Sequence, residues 1–217
     1  MNTIFKFTNR NEFYKKCIYA SIAHAVMVGR YDLLTDEISW DGNNYLFQNM
    51  EGTRGVFSFS DEGVVCALQN EEQCIEGVSK IYEKMLDSTD KELLKIIEEE
   101  IIPYFLVDDD NSIPGLTSVF WSLNDSFLSL MSEEIIMKSS SNILLPYLYE
   151  FDDLKKYWRD YYEADEEQMN LINSIFEKRM ISNSFSVGAD IVDKLKDWFG
   201  ENHSLCRQAL AEIGINY

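Results

Sequence analysis

The first stretch of the chain repeats its apolar positions at helical spacing. From Asn11 onward, Phe13, Cys17, Ile18, Ala20, Ile22, Ala25, Val26 and Met27 follow the 3.6-residue period. Asn9 stands as an N-cap with Glu12 as its capping-box acid, and Gly29 offers a stop. The period then shortens. Ile38 and Trp40 run into the turn cluster Asp41-Gly42-Asn43-Asn44, after which Tyr45 and Phe47 alternate with Leu46 and Gln48. The turn Glu51-Gly52-Thr53 precedes Val56-Phe57-Ser58-Phe59, and Asp61-Glu62-Gly63 precedes Val64-Val65-Cys66-Ala67-Leu68. Aromatic and β-branched runs joined by glycine turns predict an antiparallel meander of three or four strands between residues 37 and 69.

Beyond Asn70 the helical period returns. Ile75, Val78, Tyr82 and Met85 form one stripe. Thr89 with Glu92 reads as a capping box opening a second helix, whose Leu93, Leu94, Ile97 and Ile101 face one side as far as Pro103. Further helices are expected at about 116–137, 143–162, 165–181 and 187–213, the last broken near Gly200. The fold class expected is α+β: a small antiparallel three- to four-stranded sheet near the N-terminus, packed against a mainly helical remainder. The expected organisation is a single domain over 1–217, with an N-terminal helix and meander lobe over about 1–70 and a helical lobe over about 71–217.

Composition adds a constraint on partners. The chain has 217 residues, of which 46% are hydrophobic, and it carries a net charge of −19 from 38 acids against 19 Lys and Arg. That many apolar side chains make a folded core, not an acidic disordered tail. A strongly negative surface repels nucleic acid and anionic membranes and attracts basic partners. No apolar run approaches the roughly eighteen residues of a membrane span, and MNTIFKFTNRNEF has no apolar segment of signal-peptide length, so a cytoplasmic setting with reduced thiols is expected.

Candidate chemistry is sparse. His24 lies within the first helical stripe, and His203 with Cys206 supplies only two ligands where structural zinc takes four. Cys17, Cys66, Cys74 and Cys206 are scattered, without C-x-x-C spacing, and read as small buried thiols. No P-loop, G-x-S-x-G, H-E-x-x-H or dinucleotide fingerprint occurs, and no cofactor or metal is expected. The run Asp108-Asp109-Asp110-Asn111-Ser112 departs from a calcium loop, with Ile113 where glycine is needed and Val119 where a bidentate Glu belongs.

The acids gather in two places. Residues 87–110 hold nine acids against two lysines, and residues 150–167 hold eight against three basic side chains. The second segment interleaves Tyr157, Trp158, Tyr161 and Tyr162 with Asp152, Asp153, Asp160 and Glu163. Such a mixture suits an interface with a basic protein, because aromatic rings give rigid contact area and carboxylates pair with Arg forks. It also suits an amphipathic helix that buries its rings and keeps its acids in water. Candidate partner-binding residues are Asp108, Asp109, Asp110, Asp152, Asp153, Tyr157, Tyr161, Tyr162 and Glu163. Arg54, a cation between Gly52 and Gly55, is a candidate for a local ion pair or an anionic ligand; Gly42, Gly52, Gly55 and Gly63 are expected to serve turns of unusual φ, and Trp40 to pack in the sheet.

The run Trp40-Asp41-Gly42-Asn43-Asn44-Tyr45, then Gly52-Thr53-Arg54-Gly55 and Phe57-Ser58-Phe59, resembles the strand–turn–strand signature of small bacterial proteins, some of them similar to immunity proteins of polymorphic toxin systems. The resemblance covers about thirty residues around Trp40–Phe59 and carries over no functional residue. It implies a cytoplasmic, non-enzymatic inhibitor that binds a toxin and blocks its active site. The expected function is therefore an acidic binding protein that neutralises a basic partner. Alternatives are an adaptor or regulatory module that takes a helix or peptide, and an enzyme with a carboxylate-based site. The sequence sets no oligomeric state.

Overall fold

The structure, a computed structural model, describes residues 2–5, 10–61, 63–73, 91–105, 116–122 and 127–217. It is an α+β fold whose chain divides into two compact units, one formed by 1–11 with 41–148 and the other by 12–40 with 149–217. The units interleave in sequence, so each is assembled from segments distant along the chain.

The elements, in chain order, begin with strand β1 (Asn2–Phe5), helix α1 (Arg10–Met27) and a 3-10 turn at Asp32–Leu34. Strands β2 (Ile38–Asp41), β3 (Asn44–Gln48), β4 (Thr53–Phe59) and β5 (Val64–Asn70) follow where the meander was expected. Helix α2 (Lys91–Ile96) continues as a π-turn over Ile97–Ile101 and a 3-10 turn over Ile102–Phe105, so Pro103 lies inside a helical turn and does not end it. Next come β6 (Ser118–Ser122), β7 (Phe127–Ser129), α3 (Glu133–Ser139) and α4 (Leu145–Leu148). The chain closes with α5 (Phe151–Tyr161), α6 (Glu166–Ile181), β8 (Phe185–Ser186), α7 (Ala189–Phe199), α8 (His203–Glu212) and β9 (Ile215–Asn216).

The first unit is built on an antiparallel sheet in the order β1-β7-β6-β5-β4-β3. This is larger than the three- to four-stranded sheet expected, and the helix expected over 116–137 is replaced by β6, β7 and the short α3. Both faces of β4, β5 and β6 are buried, so these strands carry apolar residues on successive positions and lose the alternation that marks a half-exposed strand. One face, with Val56, Val65, Ala67, Val119 and Trp121, packs on Leu93, Ile97, Ile101 and Phe105. The other sets Tyr45, Phe47 and Phe57 around Tyr147, whose hydroxyl meets that of Tyr45 at 2.5 Å. Asn44 ties the hairpin to the helical segment through Glu100 and Tyr104, at 3.1 Å each, and Tyr104 donates to Asp41 at 2.8 Å.

Two glycines of the meander behave as expected: Gly42 (φ 59°) and Gly52 (φ 78°) adopt left-handed turn conformations. Gly55 serves a different purpose. It lies inside β4 opposite Phe47, and a Cβ there would collide with the Phe47 ring and Leu68.

In the second unit α1 is buried from Lys16 to Val28, small side chains at Ala20, Ser21, Ala23 and Ala25 allowing close approach on every side. Ser21 bonds back to the Cys17 carbonyl (2.8 Å) and accepts the Trp40 indole N–H (2.7 Å). Gly29 gives space to Phe199 and Cys206. Asp165 caps α6 in a reciprocal box with Gln168, and β8 pairs parallel with β9. Among the described residues no helix is long and apolar enough to cross a membrane. The helix expected over Ile75–Met85, its neighbour's cap at Thr89, and Asn9, Cys74 and Asp108–Ser112 lie outside the described residues.

Candidate protein-binding site

Helix α5 arranges the interleaved acids and rings of 150–167. Glu150 occupies the N-cap position, and Asp152 and Asp153 stand exposed in the first turn, where the positive end of the helix dipole favours them. Leu154 and Trp158 form the buried stripe. Rings four positions apart stack: Tyr157 on Tyr161 at 5.9 Å with 14° between planes, and Trp158 on Tyr162 at 5.8 Å with 18°. Neighbours around the helix meet edge to face, Trp158 against Tyr161 at 5.5 Å and Tyr161 against Tyr162 at 4.8 Å. The result is a rigid block of four rings. Its outer pair is the half-buried Tyr157 and the exposed Tyr161.

The helix ends in a Schellman motif. The Ala164 N–H reaches the Arg159 carbonyl (2.9 Å), and Glu163 takes the left-handed position at φ 49° that glycine usually fills. Arg30 braces this turn, its guanidinium donating to the carbonyls of Tyr162 (3.2 Å) and Glu163 (2.8 Å) and to the Gln168 side chain (3.1 Å).

Two titratable groups contact the block. The His24 ring meets the Tyr162 hydroxyl through Nδ1 at 2.9 Å, and burial pulls its pKa down to about 4, although the Thr35 main chain and the Asp36 carboxylate favour its proton. Glu37 is 9% exposed and accepts the Tyr161 hydroxyl at 2.6 Å. Burial raises the Glu37 carboxyl above the usual carboxylate range, and the Tyr161 bond partly offsets that rise. Burial, and then the bond to Glu37, push the Tyr161 phenol far up; burial, followed by the charges of Tyr149 and Glu37, raises Tyr157. Among the described residues, no cation forms an ion pair with Glu37.

The structure thus brings together Asp152, Asp153, Tyr157, Tyr161 and Glu163 on or beside one helix. It withdraws Tyr162 from the surface: that ring is fully buried and supports the block from within. Asp108, Asp109 and Asp110 lie outside the described residues. Among the described residues Arg54 joins no ion pair. Its Nε donates to the Gln69 side chain, its cross-strand neighbour, and its guanidinium lies 5.8 Å from the centre of the Phe105 ring. His203 bonds the Gly200 carbonyl (2.8 Å), while Cys206 is buried against the Val26 carbonyl (3.5 Å) with its thiol pushed up to about 11 by burial. Cys17 is also a buried free thiol, and Cys66 is buried. Among the described residues, no group of three or more His, Cys, Asp or Glu is placed to hold a metal ion.

Sequence reading missed Glu37 and Arg30. Each lies more than a hundred positions from the helix it serves, and the surrounding Tyr31-Asp32-Leu33-Leu34-Thr35-Asp36 has no periodic signal. Compared with family models, curated proteins and solved structures, the chain matches none.

Proposed function

We propose that this chain is an acidic protein-binding module that neutralises a basic partner by direct contact, in the manner of an immunity protein facing a cationic toxin domain. The observation that carries the reading is the exposed side of α5 and its C-terminal turn. Asp152, Asp153 and Glu163 are exposed there and join no ion pair among the described residues, beside the aromatic contact area of Tyr157 and Tyr161. Unneutralised carboxylates next to rigid rings give long-range attraction to a cationic protein and short-range anchoring once it arrives. The net charge of −19 works in the same direction.

The test uses purified cationic bacterial toxin domains, assayed for toxic activity with and without the chain. The expected result is stoichiometric inhibition of at least one domain, with an association rate that falls about tenfold or more between about 10 mM and about 150 mM ionic strength. The triple variant Asp152→Asn, Asp153→Asn, Glu163→Gln should associate more slowly. Failure of every cationic domain to bind at low salt, or association insensitive to salt, overturns the reading.

A further inference from the structure

Resting on that reading, we infer that Glu37 is the anchor of this face and accepts the guanidinium of one arginine of the basic partner, laid against the Tyr157–Tyr161 ring pair. Glu37 is 9% exposed as a residue, and among the described residues its carboxylate accepts the Tyr161 hydroxyl at 2.6 Å. A carboxylate has acceptor positions for about four hydrogen bonds, and the described residues take up one of them at Glu37. Among the described residues no cation offsets this partly desolvated charge, and an opposite charge brought close favours the ionised carboxylate.

The chain's own nearby arginines are occupied. Arg30 is spread over two carbonyls and Gln168, and Arg159 pairs with Asp160 at 2.8 Å. The aromatic side of the site is preformed: Tyr157 and Tyr161 lie within 14° of parallel, and Tyr161 is 41% exposed, so an incoming group reaches it without unfolding the helix. Behind them Trp158 packs edge-on against both rings, at 5.0 and 5.5 Å, and its buried indole N–H has no hydrogen-bond partner among the described residues. Trp158 fixes the rings in place.

A carboxylate at the edge of parallel rings fits arginine better than lysine. The planar guanidinium stacks on a ring while its N–H fork reaches an acid, whereas an ammonium is a compact, strongly hydrated charge that gives up one contact to make the other. The raised carboxyl of Glu37 belongs to the same picture, because a cation at this position would draw it back toward the ionised form.

The test titrates the full chain with short Gly/Ser peptides that carry one arginine, one lysine or one citrulline, following the Glu37 side-chain carbonyl carbon by NMR. The arginine peptide should bind about fivefold or more tightly than the lysine peptide, and citrulline should not shift the resonance. Glu37→Gln retains an acceptor for Tyr161 and should fold; it is expected to weaken arginine binding about tenfold and erase the preference over lysine. Tyr161→Leu should also erase the preference, and the pair Asp152→Asn, Asp153→Asn should preserve it. Equal affinity for arginine and lysine, or unchanged arginine binding by Glu37→Gln, overturns the inference. If Glu37→Gln captures a cationic toxin domain with wild-type affinity, the anchor fails while the basic-partner reading stands. If the peptides behave as expected and no cationic domain is inhibited, the function fails and the anchor survives.

Discussion

Glu37 and His24 are ionisable side chains that the fold keeps out of water, and their effects on stability run in opposite directions with pH. The Glu37 carboxyl is raised in the folded state, so its contribution is fully present below the unfolded carboxylate pKa and is lost as pH rises through the folded value. Glu37→Gln should therefore raise the melting temperature at neutral pH and have little effect once the medium is acidic enough to protonate the wild-type carboxyl. His24 is depressed to about 4 from an ordinary 6.5. The unfolded chain takes up its proton first, and stability falls from about pH 6.5 down to about pH 4, by up to about 3 kcal/mol. His24→Gln should flatten that part of the stability curve in urea titrations at a series of pH values.

At the scale of elements, Glu163 and Gly55 are each determined by one geometric demand. Glu163 closes the Schellman turn of α5 with φ 49°, where a side chain meets the strain of the left-handed region. Glu163→Gly should stabilise the protein by about 0.5–1 kcal/mol in chemical denaturation, despite glycine's larger unfolded-state entropy. Gly55 is the converse case: its φ is not the issue, and the space beside Phe47 and Leu68 is. Gly55→Ala should cost about 1–3 kcal/mol and broaden the resonances of the Tyr45–Phe47–Phe57–Tyr147 cluster. Reading Gly55 as a turn residue fails for that reason. The helices at 165–181 and near Gly200 were legible because their caps and punctuation are local: Asp165 with Gln168 at one, a positive-φ glycine at the other.

For the whole molecule the dominant quantity is the excess of 38 acids over 19 basic side chains. The ion pairs among the described residues, such as Lys95–Glu99 and Lys194–Glu167, are on exposed side chains and contribute little each. Self-repulsion outweighs them. Raising salt from about 10 mM to about 300 mM should therefore raise the melting temperature, since screening relieves repulsion more than it weakens those pairs. A melting temperature that falls over the same range would show that attractive pairs dominate.

The sequence by itself determined the class of fold, a meander of three or four strands over 37–69, the helices near 165–181 and 187–213, the acidic character and the acid–aromatic content of 150–167, because all of these rest on local periodicity, turn chemistry and composition. The helix expected over 143–162 is divided into Leu145–Leu148 and Phe151–Tyr161. Only the tertiary structure decided that Ser118–Ser122 is a strand, since a strand buried on both faces loses its alternation, and that Phe127–Ser129 is one, since three residues are too few to show a period. It alone decided that Tyr162 is interior while Tyr161 is exposed, and that Glu37 closes on Tyr161 across 124 positions of chain. Which ring faces water, and which carboxylate is left without a cation, depends on contacts between segments far apart in sequence. No local pattern encodes them.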